Sequence, residues 1–388
     1  MNIDNIKKIE LEITSNCNAA CPGCSRTLHP DELEIKSLTL NDIKEFFPTR
    51  RHIEGKEFKF CGVLGDPAFN PECVDMVEYL TANGGFCQLS TNGGIQPVAW
   101  WNRLGELSKS TGLVDINFCV DGHKETNHIY RVNTVFDVIA RNMQAYANGG
   151  EGKASACWVY IVFDHNEHEQ QSAEDHAKML GFRFALRTGM RNSMNSWVAQ
   201  IKKRDAVTNK LVTETQVITT TGEKEHSKKA EFEKLSKFIE GYTGLKQQAA
   251  TIATPKSGPE KKKPKADFIP VLDEAQAQEV ISSIKCKLIH EGEIFIASNK
   301  TMWPCCFLWD SAFKDSSLDN IREKLAEYGR DWNSLATQTI DDVLQNPWFD
   351  SILEASWNPT HNKHLFRCVK TCAFNKAYQN EIKEKIAQ

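Results

Sequence analysis

The chain has 388 residues, 40% of them apolar and 25% charged, a length that allows two domains and a composition ordinary for a globular protein. No run approaches eighteen uninterrupted apolar residues, which excludes a membrane-spanning helix, and the opening MNIDNIKKIELEI lacks the apolar stretch of a secretory signal. The net charge of −4 argues neither for nor against nucleic acid, since binding there is driven by local basic patches, and no nucleic-acid partner is evident.

The first half alternates short apolar runs with amphipathic stretches. Ile9–Thr14 reads as a strand leading straight into Cys17-Asn18-Ala19-Ala20-Cys21-Pro22-Gly23-Cys24. Thr39 to Phe47 reads as a helix, with Thr39 as N-cap and Asp42 closing a capping box. Strands follow at Phe58–Val63, Gly85–Ser90, Leu113–Val120, Ser155–Phe163 and Phe182–Arg187. Helices are expected between them at Pro71–Leu80, Pro97–Leu107, Phe136–Ala147 and Glu169–Leu180. Strands separated by helices of this length demand crossover connections and a parallel sheet. Six such units suit a partial (β/α)6 parallel barrel over residues 1–196, with functional groups at the C-terminal strand ends.

Residues 197–269 are polar and Lys-rich and read as an insertion or linker. One short helix is expected where Phe232, Leu235, Phe238 and Ile239 share a face, and the run Thr254–Lys265 has nothing apolar to bury. Residues 270–388 regain apolar and tryptophan content and form a small α+β domain. Within it, Ile294–Ile296 and Thr301–Trp303 read as a β-hairpin between Cys286 and Cys305, and Cys368 and Cys372 form a C-x3-C pair.

Thirteen cysteines without an export signal point to thiols in a reducing, cytoplasmic compartment rather than to a disulfide framework. Cys61, Cys73, Cys87, Cys119 and Cys157 are scattered and read as small buried hydrophobes; Cys306, adjacent to Cys305, reads as a spare. The C-x3-C-x2-C loop offers three thiolates from one tight turn. Three thiolates cap three corners of a 4Fe–4S cubane and leave the fourth iron open for chemistry. A zinc site completed by His29 is the competing reading. Cys286, Cys305, Cys368 and Cys372 offer four ligands to a closed site, either an iron–sulfur cluster or structural zinc.

Around the loop, the strand ends carry further signals. Gly65-Asp66-Pro67 follows the second strand, Ser90-Thr91-Asn92-Gly93 the third, and Cys119-Val120-Asp121-Gly122 the fourth, with Arg131 nine residues beyond. Together with the cysteine loop, these resemble the radical S-adenosylmethionine superfamily over Lys7 to Arg187. The resemblance implies that Cys17, Cys21 and Cys24 hold the catalytic 4Fe–4S cluster. It implies that S-adenosylmethionine is bound by Gly65, Asp66, Pro67, Ser90, Asn92, Cys119, Asp121 and Arg131. The chain departs from the family pattern at four places. Leu64 replaces a glycine, Asp66 a glutamate and Cys119 a serine, while Gly23 stands where an adenine-packing aromatic often precedes the third cysteine; Phe163 is the substitute candidate. The C-terminal cysteines resemble a twitch or SPASM auxiliary domain with a second cluster, with Lys300 where its hairpin has glycine.

The implied activity is reductive cleavage of S-adenosylmethionine to a 5′-deoxyadenosyl radical that abstracts hydrogen from a C–H bond. The substrate would be a peptide or protein side chain or a small molecule, and an external flavodoxin- or ferredoxin-type donor would supply electrons. Asp164, His165 and Arg187 at strand ends are candidates to face it. A non-radical iron–sulfur or zinc protein serving structure or electron transfer is the alternative.

Overall fold

The strands of the N-terminal half carry two kinds of side chain. Ile9, Leu11, Phe58, Phe60, Leu89, Ile116, Phe118, Trp158 and Tyr160 are buried, whereas the alternating positions include Glu10, Glu12, Lys59, Cys61, Gln88, Asp115, Asn117 and Cys119. Successive strand residues point to opposite faces, so the apolar set packs under the helices and the polar set lines the other face.

The computed structural model describes residues 1–187, 196–204, 211–219, 274–314, 321, 325, 328–329, 331–358 and 364–373. Strands β1 (Lys8–Leu11), β2 (Glu57–Phe60), β3 (Phe86–Thr91), β4 (Val114–Cys119), β5 (Ser155–Ile161) and β6 (Arg183–Arg187) lie side by side in chain order. Each pairs parallel to the next. Helices α1 (Ser25–Leu28) and α2 (Leu40–Phe46) follow β1, α3 (Cys73–Ala82) follows β2, and α4 (Val98–Thr111) follows β3. After β4 come α5 (Asn127–Tyr130) and α6 (Phe136–Gly149), and after β5 comes α7 (Gln170–Met179). Thr39 caps α2 through the expected box, accepting from the Asp42 N–H while Asp42 accepts from the Thr39 N–H. No helix among the described residues is long and apolar enough to cross a membrane.

The sheet extends beyond the six expected strands. In chain order the next two strands are β7 (Ser196–Arg204) and β8 (Leu211–Thr219), an antiparallel pair that forms a sheet of its own. No strands were expected in this segment, because its lysines and threonines blur the apolar alternation; Thr and Val content nevertheless favours strand in Leu211–Thr219. The helix expected around Phe232–Ile239 and the run Thr254–Lys265 lie outside the described residues.

The hairpin read between Cys286 and Cys305 does form, as β9 (Glu293–Ile296) and β10 (Met302–Trp303). It does not stand alone. β9 pairs parallel to β1 in the register Lys8↔Glu293 to Leu11↔Ile296, giving an open eight-stranded sheet in the order β10-β9-β1-β2-β3-β4-β5-β6. All four β9 residues are buried, which explains why so short a strand, with only three apolar residues, holds. At the hairpin turn Lys300 takes φ +67°, a left-handed conformation that costs a non-glycine residue about 1 kcal/mol. Its ammonium offsets this by pairing with Asp42 of the α2 capping box at 2.7 Å.

Candidate active site

After β1 the chain stays pinned beside the sheet, with the Ser15 N–H donating to Lys36 O at 2.9 Å and the Ser15 hydroxyl to Glu34 O at 2.7 Å. The cysteine loop begins two residues later, at the C-terminal end of the parallel strands. It is held by three contacts: Ala20 N–H to Val132 O at 3.0 Å, Arg26 Nη1 to Cys17 O at 2.8 Å and Cys24 N–H to Cys21 O at 3.0 Å. Cys24 is the N-cap of α1. Cys21 is buried with Ala19 against Tyr130 and Phe163, and Cys17 and Cys24 pack against the same group. The structure therefore brings the three thiols to one place. Burial pushes the Cys17 thiol up to about 12, and the charges of Asp66 and Cys21 add to the effect. Thiols so placed become thiolates only beside a strong cation, which is the environment an iron cluster provides.

The turn after β2 lies directly beneath. At Gly65 a Cβ would fall on the carbonyl oxygen of Thr14, so only glycine lets the turn pass under the strand that leads into the loop. The Asp66 N–H donates to Asn16 O at 2.9 Å, tying the turn to the residue before Cys17. The Asp66 carboxylate faces inward and is fully engaged. It accepts from Ala68 N–H at 3.0 Å, Thr91 Oγ1 at 2.8 Å and Asn92 N–H at 2.8 Å. Burial raises its pKa against these hydrogen bonds. Asp66 thus acts as a strut between the β2 and β3 turns, and its neighbour Pro67 opens the short 3-10 turn Pro67–Phe69.

Asn92 carries the linkage to the cysteines. Its Nδ2 donates to Asn18 Oδ1 at 2.8 Å and lies 3.6 Å from Cys17 Sγ. Ser90, within β3, is half-buried. At the end of β4, the half-buried Cys119 thiol lies 3.7 Å from Asn117 O and is pushed up to about 11, chiefly by burial. Asp121 is fully buried and accepts from the Arg131 Nε at 2.6 Å and from Ile161 N–H at 2.8 Å. The Arg131 side chain is largely withdrawn from solvent, at 13% exposure. Burial works against its charge, but Asp121, Cys21 and Cys119 outweigh it and raise its pKa.

Phe163 is fully buried, 4.7 Å from the Tyr130 ring and stacked 5.2 Å from His165, so in this structure it presents no face to a purine. Asp164 and Arg187 are exposed, and the half-buried His165 has a buried Nε2 without a hydrogen-bond partner.

Sequence reading missed the charged groups on the polar face of the sheet. Lys59 Nζ pairs with Glu293 Oε2 at 2.6 Å, and Lys287 pairs with Glu293 Oε1. Lys287 also lies 3.6 Å from Glu10 Oε2, while Cys61 Sγ donates to Glu10 Oε1 at 3.1 Å. Glu12 accepts from Leu64 N–H at 2.8 Å and from Ser298 Oγ at 3.3 Å, and burial pushes its carboxyl up to about 7. The available signal was a charge at every second position of otherwise apolar strands, as in Lys8-Ile9-Glu10-Leu11-Glu12.

The second cysteine group also converges. Cys286, Cys305, Cys368 and Cys372 line one pocket together with Pro304 and Trp357. Cys286 and Cys305 each N-cap a helix, Lys287–Glu291 and Cys306–Phe313. Backbone N–H groups of Leu288 and Ile289 reach the first sulfur, and those of Phe307 and Leu308 the second. These donors favour thiolate, although burial dominates and pushes Cys286 up to about 12. Cys306 turns instead to Lys287 Nζ, 3.8 Å away. Cys17, Cys24, Cys286 and Cys305 are free thiols. Among the described residues, no three His, Cys, Asp or Glu side chains are arranged to hold one metal ion. A cubane spreads its thiolates over separate irons, and both cysteine groups fit it in donor type and number.

No family model matches the chain. Over 109 residues it is 32% identical to the tungsten-containing aldehyde ferredoxin oxidoreductase cofactor-modifying protein of Pyrococcus furiosus, a match that spans 26% of this chain and 28% of that relative. Among solved structures, SuiB of Streptococcus suis bound to S-adenosylmethionine aligns over 81% of this chain and 65% of its own, at 12% identity and TM-score 0.45. The structure of anSMEcpe with bound S-adenosylmethionine and a peptide aligns over 94% and 89%, at 14% identity and TM-score 0.46. BtrN, in complex with S-adenosylmethionine and 2-DOIA, aligns over 95% and 92%, at 11% identity and TM-score 0.36. The chain thus spans little more than a quarter of the length of the curated relative it matches. The likeness to these solved structures is remote.

Proposed function

We propose that this protein is a radical S-adenosylmethionine enzyme with two iron–sulfur centres. One observation carries the reading: the cysteine loop, the Gly65–Asp66 turn, the Asn92 turn and the Asp121–Arg131 pair meet at the C-terminal ends of four adjacent parallel strands. Cys17, Cys21 and Cys24 would hold a 4Fe–4S cluster with one iron left for the amino and carboxylate groups of S-adenosylmethionine. When bound and reduced, that cluster supplies the electron that cleaves the cosubstrate and so generates a radical able to take hydrogen from a C–H bond.

The chain's own groups position and exclude. Arg131 uses Nε on Asp121 and lies close enough to Cys21 to feel its charge, and its remaining N–H groups would receive the cosubstrate's carboxylate. With the Asp66 carboxylate committed to Thr91 and Asn92, the cosubstrate's ammonium is left to backbone carbonyls of the β2 turn. The polar face of the sheet, with Glu10, Lys59, Lys287 and Glu293, favours a polar substrate, whether a peptide segment or a small molecule. Cys286, Cys305, Cys368 and Cys372 would hold the auxiliary centre, which suits oxidation or bond formation by accepting an electron. An external flavodoxin- or ferredoxin-type protein would deliver electrons.

Anaerobic reconstitution followed by dithionite reduction tests this. The expected result is about eight irons per chain and 5′-deoxyadenosine formed from S-adenosylmethionine, lost in Cys17→Ala, Cys21→Ala and Cys24→Ala. Iron without that product would overturn the radical reading in favour of a structural or electron-transfer protein; about four irons with zinc would place zinc on the C-terminal cysteines.

A further inference from the structure

The carboxylate of Asp310 belongs to neither cysteine group, yet it touches the neighbours of both. It lies on the helix Cys306–Phe313, which Cys305 caps, and it is only 7% exposed. Its Oδ1 accepts from the hydroxyl of Ser25, the residue after Cys24, at 2.6 Å. Its Oδ2 accepts from Lys314 Nζ at 2.7 Å and from Nη2 of Arg367, the residue before Cys368, at 3.2 Å. The Arg367 guanidinium lies 5.5 Å above the Phe307 ring, and its charge acts on Cys305 and Cys372.

A buried carboxylate with three donors is expensive to desolvate and strongly directional. Here its two oxygens are divided: one faces the amino-terminal loop, the other the cations beside the carboxy-terminal group. Ser25 and Asp310 are 285 positions apart, so this is a tertiary link that joins the amino-terminal loop to the helix capped by Cys305. A charge held away from water acts on nearby redox groups far more strongly than one in solvent.

We propose that Asp310 is a positioning residue shared by the two centres. It fixes the Cys24 end of the amino-terminal loop against the carboxy-terminal group, and it sets part of the charge that both iron–sulfur clusters experience. The proposal rests on the two-cluster reading above. Removing the carboxylate takes away a negative charge from beside Lys314 and Arg367. That favours the reduced, more negative state of a nearby cluster, so potentials rise.

The test is a redox titration followed by electron paramagnetic resonance on the full chain, reconstituted anaerobically, with iron and zinc counted on the same samples. Asp310→Asn is expected to keep the wild-type iron content while the midpoint potentials of both clusters move to more positive values. Ser25→Ala keeps the carboxylate and releases only the loop. It is expected to weaken, several-fold, the S-adenosylmethionine concentration dependence of the amino-terminal signal and to leave the carboxy-terminal potential in place. If Asp310→Asn does not fold, the Ser25→Ala result decides. Two wild-type signals with unmoved potentials in Asp310→Asn, or unchanged cosubstrate binding in Ser25→Ala, would overturn the proposal alone. A single cluster in the wild-type protein would overturn the two-centre reading, and this proposal with it.

Discussion

The carboxylate of Asp66, at the end of β2, accepts the backbone N–H of Asn92, at the end of β3, across 2.8 Å. Through Asn92 it also holds Asn18 and the vicinity of Cys17. Asp66→Ala leaves the Ala68 and Asn92 N–H groups and the Thr91 hydroxyl without their acceptor. The expected cost is about 2–4 kcal/mol, read from urea denaturation, since each buried donor left unpaired costs about 1–3 kcal/mol.

Gly65→Ala sets a methyl group against the Thr14 carbonyl oxygen, which is backbone and has nowhere to go. The turn must move, and with it Asp66 and its contact to Asn16. A loss of about 3 kcal/mol or more is expected, with a lowered Tm by circular dichroism.

Arg131 and Asp121 are a buried pair, and their removal is asymmetric. Arg131→Met strands a fully buried carboxylate that keeps only Ile161 N–H as a side-chain partner, at an expected cost of about 3–5 kcal/mol. Adding Asp121→Asn removes the stranded charge, so the double variant is expected to recover part of that loss in the same denaturation series. A double variant no more stable than Arg131→Met would contradict the assignment.

Glu12 gives a pH dependence with a definite sign. Burial raises its carboxyl from the ordinary 4.5 to about 7, so the folded protein binds this proton more tightly than the unfolded chain does. Its contribution to stability is complete below pH 4.5 and is lost as pH rises to about 7. The size is about 3 kcal/mol at most, at 1.36 kcal/mol per pH unit. Glu12→Gln keeps an acceptor for Leu64 N–H and a partner for Ser298 and removes the charge. Thermal melts across pH 4.5–8 are expected to show the variant gaining relative to wild type as pH rises; parallel curves would show that Glu12 does not titrate in this window.

Local patterns in the sequence were enough for the strand–helix series, the Thr39–Asp42 capping box and the β9–β10 hairpin, because alternation, caps and turn residues act over a few positions. They also marked the cysteine loop and the turns that follow β2, β3 and β4. Other features depend on partners far away in the chain and leave no local trace. The pairing of β9 with β1 joins residues 285 positions apart, as in Lys8↔Glu293, and a four-residue strand cannot announce which strand it will meet. The charges of Glu10, Lys59, Lys287 and Glu293 read as isolated surface polars until the sheet brings them together.

The sequence by itself determined the periodicity of the elements and the supply of thiols, since both depend on residue type and short-range spacing. Only the tertiary structure decided what each polar group does: that Asp66 is a strut, that Arg131 is buried against Asp121, and that Ser25 meets Asp310. The reason is that a side chain's charge and hydrogen bonds take their strength from burial and from the partner across the fold, and neither is set until the chain has closed on itself.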